Sequence, residues 1–144
     1  MKTILIVAAP SPQRDALVSR LETEDYLVVT GGNRAQAIEI LQAMVPGAVF
    51  VDLSMPRREG RLVAEYLDRD PRLRVVPRLV AIASFRKNAR FVAGGGVFVK
   101  PLDCEHVVRA LRALYPAARA AAARPEERRR GLELLDDGID TLAS

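Results

Sequence analysis

Five short blocks of apolar residues recur along the chain, and segments with apolar residues three or four positions apart separate them. An uninterrupted apolar block bounded by turn residues is typical of a strand buried on both faces of a parallel sheet. The blocks are Thr3–Ala8, Leu27–Thr30, Ala48–Asp52, Leu79–Ala83 and Val97–Val99. Because strands and helices alternate, the pattern predicts an α/β fold in which right-handed crossovers join parallel strands.

The segments between the blocks carry helix start signals. Ser11 is a capping residue followed by a proline at the first helical position. Asn33 with Gln36 three residues later resembles a capping box. The helices are predicted over Pro12–Glu24, from Asn33 to a buried Val45, over Gly60–Asp68, over Phe85–Ala93, and from a capping Asp103 onwards.

The chain length bounds the domain organisation. A chain of 144 residues is long enough for one domain with a real core. We predict a domain over residues 1–118 and a C-terminal helical extension over residues 119–144, where Pro125 is a break between two helix-forming stretches. No apolar run is long enough to span a membrane, and the first residues are more typical of a strand than of a signal peptide, so a cytoplasmic location is expected.

Charge and cysteine content exclude several classes of function. The single cysteine, Cys104, and the single histidine, His106, exclude an internal disulfide and a zinc site of the Cys/His type. The net charge is +4, but the arginines are spread along the chain, and residues 119–144 carry five Arg against six acidic residues. Nucleic-acid binding is therefore not expected, and the terminal segment is better interpreted as a helix that faces solvent or a protein partner.

Two charged residues stand at the ends of predicted strands. Asp52 ends the third strand and opens the sequence D-L-x-M-P-x-x-x-G, which closes at Gly60. Lys100, followed by Pro101, ends the fifth strand. The carboxyl ends of parallel strands share one edge of the sheet, where ligands and chemistry collect in open α/β folds. We therefore expect Asp52 and Lys100 to form the functional site.

Together with the alternating strands and helices, these two motifs resemble the receiver domain of bacterial two-component response regulators, over roughly Met1–Tyr115. The resemblance implies a flavodoxin-like, doubly wound, five-stranded parallel sheet of order 2-1-3-4-5. It implies that Asp52 occupies the phosphoacceptor position and Lys100 the position of the site lysine. The peptide bond between Lys100 and Pro101 is often cis in this family.

The sequence departs from the receiver pattern at several site positions. Receivers carry adjacent carboxylates after the first strand, which hold Mg²⁺ with the phosphoacceptor; here those degenerate metal positions are Ala8 and Ala9. The threonine or serine at the end of the fourth strand falls on Ala83, or on Ser84 in a register shifted by one residue. The switch aromatic of the fifth strand falls on Val97.

These departures predict an atypical receiver, or pseudo-receiver, that signals by binding and is not an enzyme. A single aspartate paired with a single lysine has no net charge for a metal to neutralise, so no cofactor is expected. Binding of Mg²⁺ is expected only if the site is a functional phosphorylation site. Two alternatives stay open. One is a working phosphorelay receiver phosphorylated on Asp52 by a histidine kinase. The other is a module that binds a small ligand in the crevice, where Ala8, Ala9 and Ala83 leave an apolar floor.

The expected partner is a signalling protein, either a histidine kinase or an output protein, and homodimerisation is an open alternative. The expected contact surface comprises the predicted fourth helix, the fifth strand, the fifth helix and the C-terminal extension. Neither a membrane nor a nucleic acid is an expected partner.

Overall fold

A computed structural model describes residues 2–83 and 96–115 of the chain. The strands are β1 (Thr3–Val7), β2 (Leu27–Gly31), β3 (Ala48–Asp52), β4 (Arg78–Ile82) and β5 (Val97–Val99). The helices are α1 (Pro12–Thr23), α2 (Arg34–Ala43), α3 (Glu59–Arg69) and α4 (Cys104–Leu114), and a 3-10 turn covers Pro56–Arg58.

The five strands form one parallel sheet in the order β2-β1-β3-β4-β5. This confirms the predicted α/β class, the flavodoxin-like topology and the strand order. The chain moves from β1 outwards to β2 and then crosses back to β3, so the order reverses between β1 and β3. A reversal of this kind opens a crevice at the carboxyl edge of the sheet, directly beside the end of β3.

The core is built from strand residues that alternate between the two faces of the sheet, because successive side chains of a strand point to opposite sides. All five residues of β3 are buried. One face packs against buried residues of α2 and α3. The main members of this core are Leu5, Val7, Val49, Val51 and Val80 from the strands, and Ala37, Leu41, Val63 and Leu67 from the helices.

The predicted helix caps are present, with one difference. The Ser11 side chain accepts a hydrogen bond from the backbone N–H of Arg14 at 3.0 Å. The Asn33 side chain accepts from the N–H of Gln36 at 2.9 Å. The Gln36 side chain accepts in return from Gly32, at 2.7 Å, and not from Asn33 as a capping box would require.

The predicted burial of Val45 is wrong. Helix α2 ends at Ala43, and Met44 has an extended backbone conformation. Val45 therefore leaves the helical stripe on which the spacing placed it, and it is 48% exposed. The sequence pattern predicted too long a helix, because Met44 and Val45 continue the apolar spacing after the helical backbone has ended.

A buried arginine begins β4, one residue before the predicted apolar block. Arg78 forms an ion pair with Asp68 at the end of α3, with 2.5 Å between Nη1 and Oδ1. Its guanidinium also donates to the backbone carbonyls of Ala64 and Arg74. These partners satisfy a charge that would otherwise be costly to bury, and they tie α3 to β4.

The chain divides into two compact units, Met1–Val108 and Arg109–Ser144. Only residues 109–115 of the second unit are described. The predicted boundary after residue 118, the extension over residues 119–144, the helix predicted over Phe85–Ala93 and Ser84 all lie outside the described residues. Within the described ranges, no helix combines the length and apolar character needed to cross a bilayer.

Candidate functional site

The parallel sheet brings together the two charged residues that the sequence analysis singled out. Asp52 is the last residue of β3, and Lys100 directly follows β5. The ammonium nitrogen of Lys100 lies 2.7 Å from Oδ2 of Asp52. The Asp52 side chain is 12% exposed and the Lys100 side chain 32% exposed, so water screens the pair only in part. The bond between Lys100 and Pro101 is cis.

Ser54 engages the other oxygen of the same carboxylate. Oδ1 of Asp52 accepts the backbone N–H of Ser54 at 2.9 Å and its hydroxyl at 2.6 Å. A bond from an aspartate to its own backbone two residues later is a common local turn, formed as the chain leaves the strand. Both carboxylate oxygens of Asp52 therefore already accept hydrogen bonds from the protein.

Gly60 explains the last position of the motif that begins at Asp52. A Cβ atom built on Gly60 would lie 2.0 Å from the backbone oxygen of Asp52. The first turn of α3 therefore packs directly on the end of β3, and only a residue without a side chain fits there. The loop between them is tight, since Arg57 and Arg58 both have left-handed backbone conformations, with φ of 58° and 57°.

The two degenerate metal positions lie where the motif predicts, after β1, but only one faces the crevice. Ala8 is buried and lines it, whereas Ala9 is exposed and does not. Neither side chain offers an oxygen ligand. Among the described residues, no group of three or more His, Cys, Asp or Glu side chains is placed to hold a metal ion. Among the described residues, the crevice therefore offers Mg²⁺ one side-chain carboxylate, fewer than the receiver resemblance implies, and both of its oxygens already accept hydrogen bonds.

The switch positions differ in part from their predicted placement. Strand β4 ends at Ile82, one residue before the predicted end, and Ala83 is exposed and does not line the crevice. Ala81, which pairs in register with Asp52, lines it instead. Neither side chain carries a hydroxyl group. The other candidate for this position, Ser84, lies outside the described residues.

Val97, at the position of the switch aromatic, is half-buried and packs against the core formed by α2, α3 and the sheet. The neighbouring Phe98 points to the opposite face, where its ring centroid lies 6.3 Å from that of Phe50. The aromatic side chain of β5 is therefore part of the packing beneath the crevice.

The crevice beside Asp52 contains one cation that the sequence analysis missed. Arg14, in the first turn of α1, lines the crevice together with Asp52 and Lys100. Its Nη1 donates to the backbone oxygen of Ala8 at 3.1 Å. Its Nε is buried and has no hydrogen-bond partner in the part of the chain that the structure describes. The sequence did carry one indication of this residue. A cation in the first turn of a helix is unfavourable, because the helix dipole favours acidic residues there.

The crevice has a small volume and a positive charge. Its volume is about 300 Å³ including the solvent at its mouth, so the enclosed space is smaller than small-molecule pockets of about 300–1,000 Å³. It is lined by Ile6, Ala8, Ser11, Gln13, Arg14, Leu17, Phe50, Asp52, Ala81, Lys100 and Leu102. Two cations and one carboxylate give these residues a formal charge of +1.

Three side chains elsewhere in the structure, Arg20, Cys104 and Asp70, have pKa values shifted by their surroundings. Hydrogen bonds from Arg20 to Glu105 and Glu24 raise the pKa of the arginine, and the Glu105 contact joins α1 to the start of α4. Burial raises the pKa of the Cys104 thiol, and the charges of Asp103 and Glu105 raise it further. Hydrogen bonds from Arg72 lower the pKa of Asp70.

Comparison with known proteins supports the resemblance that the sequence motifs indicate. The family model for the response regulator receiver domain matches residues 4–112. The chain is 28% identical over 119 residues to an uncharacterized response regulatory protein of Yersinia pestis, covering 79% of this chain and 48% of that protein. It is 29% identical over 89 residues to hybrid signal transduction histidine kinase D of Dictyostelium discoideum, covering 62% of this chain and 6% of that protein. The chain thus spans about half or less of these curated relatives.

Solved structures share the fold. The receiver domain of a Pseudomonas aeruginosa sensor histidine kinase, which has a magnesium ion coordinated in its active-site cleft, superposes with a TM-score of 0.70 at 17% identity, over 78% of this chain and 96% of that domain. The Vibrio cholerae chemotaxis response regulator CheY4 superposes with a TM-score of 0.71 at 19% identity, over 79% of this chain and 98% of the regulator. At these identities the likeness extends to the fold alone.

Proposed function

Because this chain belongs to the response regulator receiver domain family, we propose that it is a receiver in which signalling by protein binding has replaced Mg²⁺-dependent phosphorylation. It acts as an interaction module and carries out no catalytic turnover. Its partner is a signalling protein, such as a histidine kinase or an output protein.

The observation that carries this proposal is the state of the Asp52 carboxylate. Among the described residues that line the crevice it is the only carboxylate, and its two oxygens accept from Lys100 and Ser54. Phosphoryl transfer depends on positioning and on neutralising the oxygens of the transferred group, which receivers achieve with a divalent cation. The described residues that line the crevice offer no further side-chain carboxylate to hold that cation, and Ala8 contributes a methyl group to the same lining.

A working phosphorelay receiver is the second candidate. The contact between Lys100 and Asp52 favours it, because the receiver pattern implies the same pair in a phosphorylatable site. The pair by itself therefore does not separate the two candidates. What separates them is the replacement of oxygen ligands by alanine at the end of β1, and the absence of a hydroxyl at Ala81 and Ala83.

The small-ligand alternative receives less support from the geometry. Of the three alanines expected to form an apolar floor, only Ala8 lines the crevice, while Ala9 and Ala83 are exposed. The crevice also has little volume for a metabolite.

Incubation with a small acyl phosphate and Mg²⁺, followed by intact mass measurement, tests the proposal. We expect no phosphoryl adduct on the wild-type chain. The Asp52→Asn variant is the control, because it lacks the acceptor carboxylate and shows whether any adduct forms at another residue. An adduct on the wild type that is absent from Asp52→Asn would establish the phosphorelay candidate.

A further inference from the structure

The charges in the crevice are not balanced. Lys100 is paired with Asp52 at 2.7 Å. Arg14 forms no ion pair with a described residue, although it lines the same crevice. The formal charge of +1 therefore resides on the Arg14 guanidinium.

Arg14 also has an unused donor. Its Nη1 is held by the carbonyl of Ala8, which fixes the guanidinium at the end of β1. Its Nε is shielded from solvent and makes no hydrogen bond with the residues that the structure describes. A buried donor without a partner costs about 1–3 kcal/mol, so structures rarely retain one unless a ligand or water completes it.

We propose that Arg14 makes the crevice a metal-independent binding site for a small oxyanion. The proposal rests on the proposed function, since it requires a crevice without Mg²⁺. An oxyanion supplies what Arg14 lacks, namely a negative charge and an acceptor for Nε, and guanidinium groups match the planar geometry of carboxylate and phosphate.

The neighbouring residues suit the same class of ligand. Lys100 is paired with Asp52 and offsets the repulsion that the carboxylate would exert on an anion. Ser11 and Gln13 add polar side chains to the crevice wall. A volume of about 300 Å³, solvent at the mouth included, suits an ion better than a nucleotide.

The test is a titration of the full chain with inorganic phosphate and, separately, with acetate, in buffer that contains a metal chelator. The readout is the NMR signal of the Arg14 Nε–H together with the dissociation constant. We expect a saturable shift with at least one of the two anions. Saturation by phosphate assigns the site to a tetrahedral oxyanion, and saturation by acetate assigns it to a carboxylate; either result supports the proposal.

Arg14→Gln is expected to weaken binding about tenfold or more, because a charge-assisted bond is lost. Arg34→Gln is the matched control: Arg34 is exposed and begins α2, so the variant removes the same charge from a helix start outside the crevice. Its affinity should stay within about twofold of the wild type. If Arg14→Gln fails to fold, Arg14→Lys is the test variant in its place. It keeps the positive charge but lacks Nε, so we expect its affinity to lie between that of the wild type and that expected for Arg14→Gln.

Two results would overturn the oxyanion site while leaving the proposed function intact: no saturable shift with either anion, or equal affinity in the wild type and Arg14→Gln. Binding of phosphate only after Mg²⁺ is added would overturn both, because it would show that the crevice takes a metal.

Discussion

The ammonium of Lys100 lies 2.7 Å from Oδ2 of Asp52, although the two residues are 48 positions apart in the chain. Their meeting follows from topology, because β3 and β5 are parallel and both end at the same edge of the sheet. The contact gives the Asp52 carboxylate a local counter-charge, and under the proposed function this counter-charge serves without a divalent cation.

Restoring acidic residues after β1 should create a magnesium site. We expect the Ala8→Asp/Ala9→Asp variant to be less stable than the wild type without metal, because Ala8 is 8% exposed and a carboxylate there would be largely buried. Saturating Mg²⁺ should then raise its free energy of unfolding, by about 2.7 kcal/mol at a hundredfold excess over the dissociation constant.

Thermal denaturation with and without Mg²⁺ measures this effect. The control is Ala35→Asp/Ala43→Asp, which adds two carboxylates at exposed positions of α2. Neither the control nor the wild type should respond to Mg²⁺. Stabilisation of the control by the same amount would show that the response is a nonspecific effect of charge.

Gly60→Ala should destabilise the fold by about 2 kcal/mol or more, because the new Cβ would lie 2.0 Å from the backbone oxygen of Asp52. The neighbour is main chain and cannot rotate away. In Gly32→Ala, by contrast, the nearest atom is the end of the Gln36 side chain at 3.1 Å, so its effect should stay below about 1 kcal/mol. Urea denaturation compares the two variants, and equal losses would contradict the close approach of α3 to β3.

Asp25→Gly should stabilise the chain by about 0.5–1 kcal/mol. Asp25 has a φ of 66° just after α1, where the backbone N–H of Tyr26 returns to the carbonyl of Leu21 at 3.3 Å. Glycine adopts this left-handed conformation without steric cost, whereas Asp25→Ala keeps the cost and should show no gain. Chemical denaturation distinguishes the variants, and a gain for both would show that loss of the charge is responsible.

Cys104 should react with alkylating agents at higher pH than an ordinary thiol. Burial raises its pKa, and Asp103 and Glu105 act in the same direction. Because only the thiolate is nucleophilic, a raised pKa leaves less reactive form at neutral pH, and the alkylation rate should keep rising at a pH where the urea-unfolded chain has levelled off. The chain has one cysteine, so the rate reports this site alone. Coincident pH profiles for the native and unfolded chains would contradict the prediction.

The sequence was sufficient for the sheet and for the central pair of the site. The apolar blocks are bounded by turn residues, and the two charged residues end their strands. Asp52 and Lys100 could therefore be placed at one edge of the sheet from the sequence alone. The end of β4 was placed one residue late because Ala83 continues an apolar block, although the strand ends at Ile82.

Other features were not predictable because they depend on how a side chain packs in three dimensions against particular charges and backbone carbonyls. Arg78 is acceptable inside the protein only because Asp68 and two carbonyls of other elements surround it. Arg14 lies in the crevice because the carbonyl of Ala8 holds its guanidinium there, which periodicity does not reveal.

Titration of the wild-type chain with Mg²⁺, followed by the NMR signals of Asp52 and Lys100, tests the central claim most directly. The account predicts no saturable change at millimolar Mg²⁺, since the described residues that line the crevice carry a net positive charge and a single carboxylate, both oxygens of which accept hydrogen bonds. A saturable shift of both residues, with release of the Lys100 ammonium from Oδ2, would contradict it.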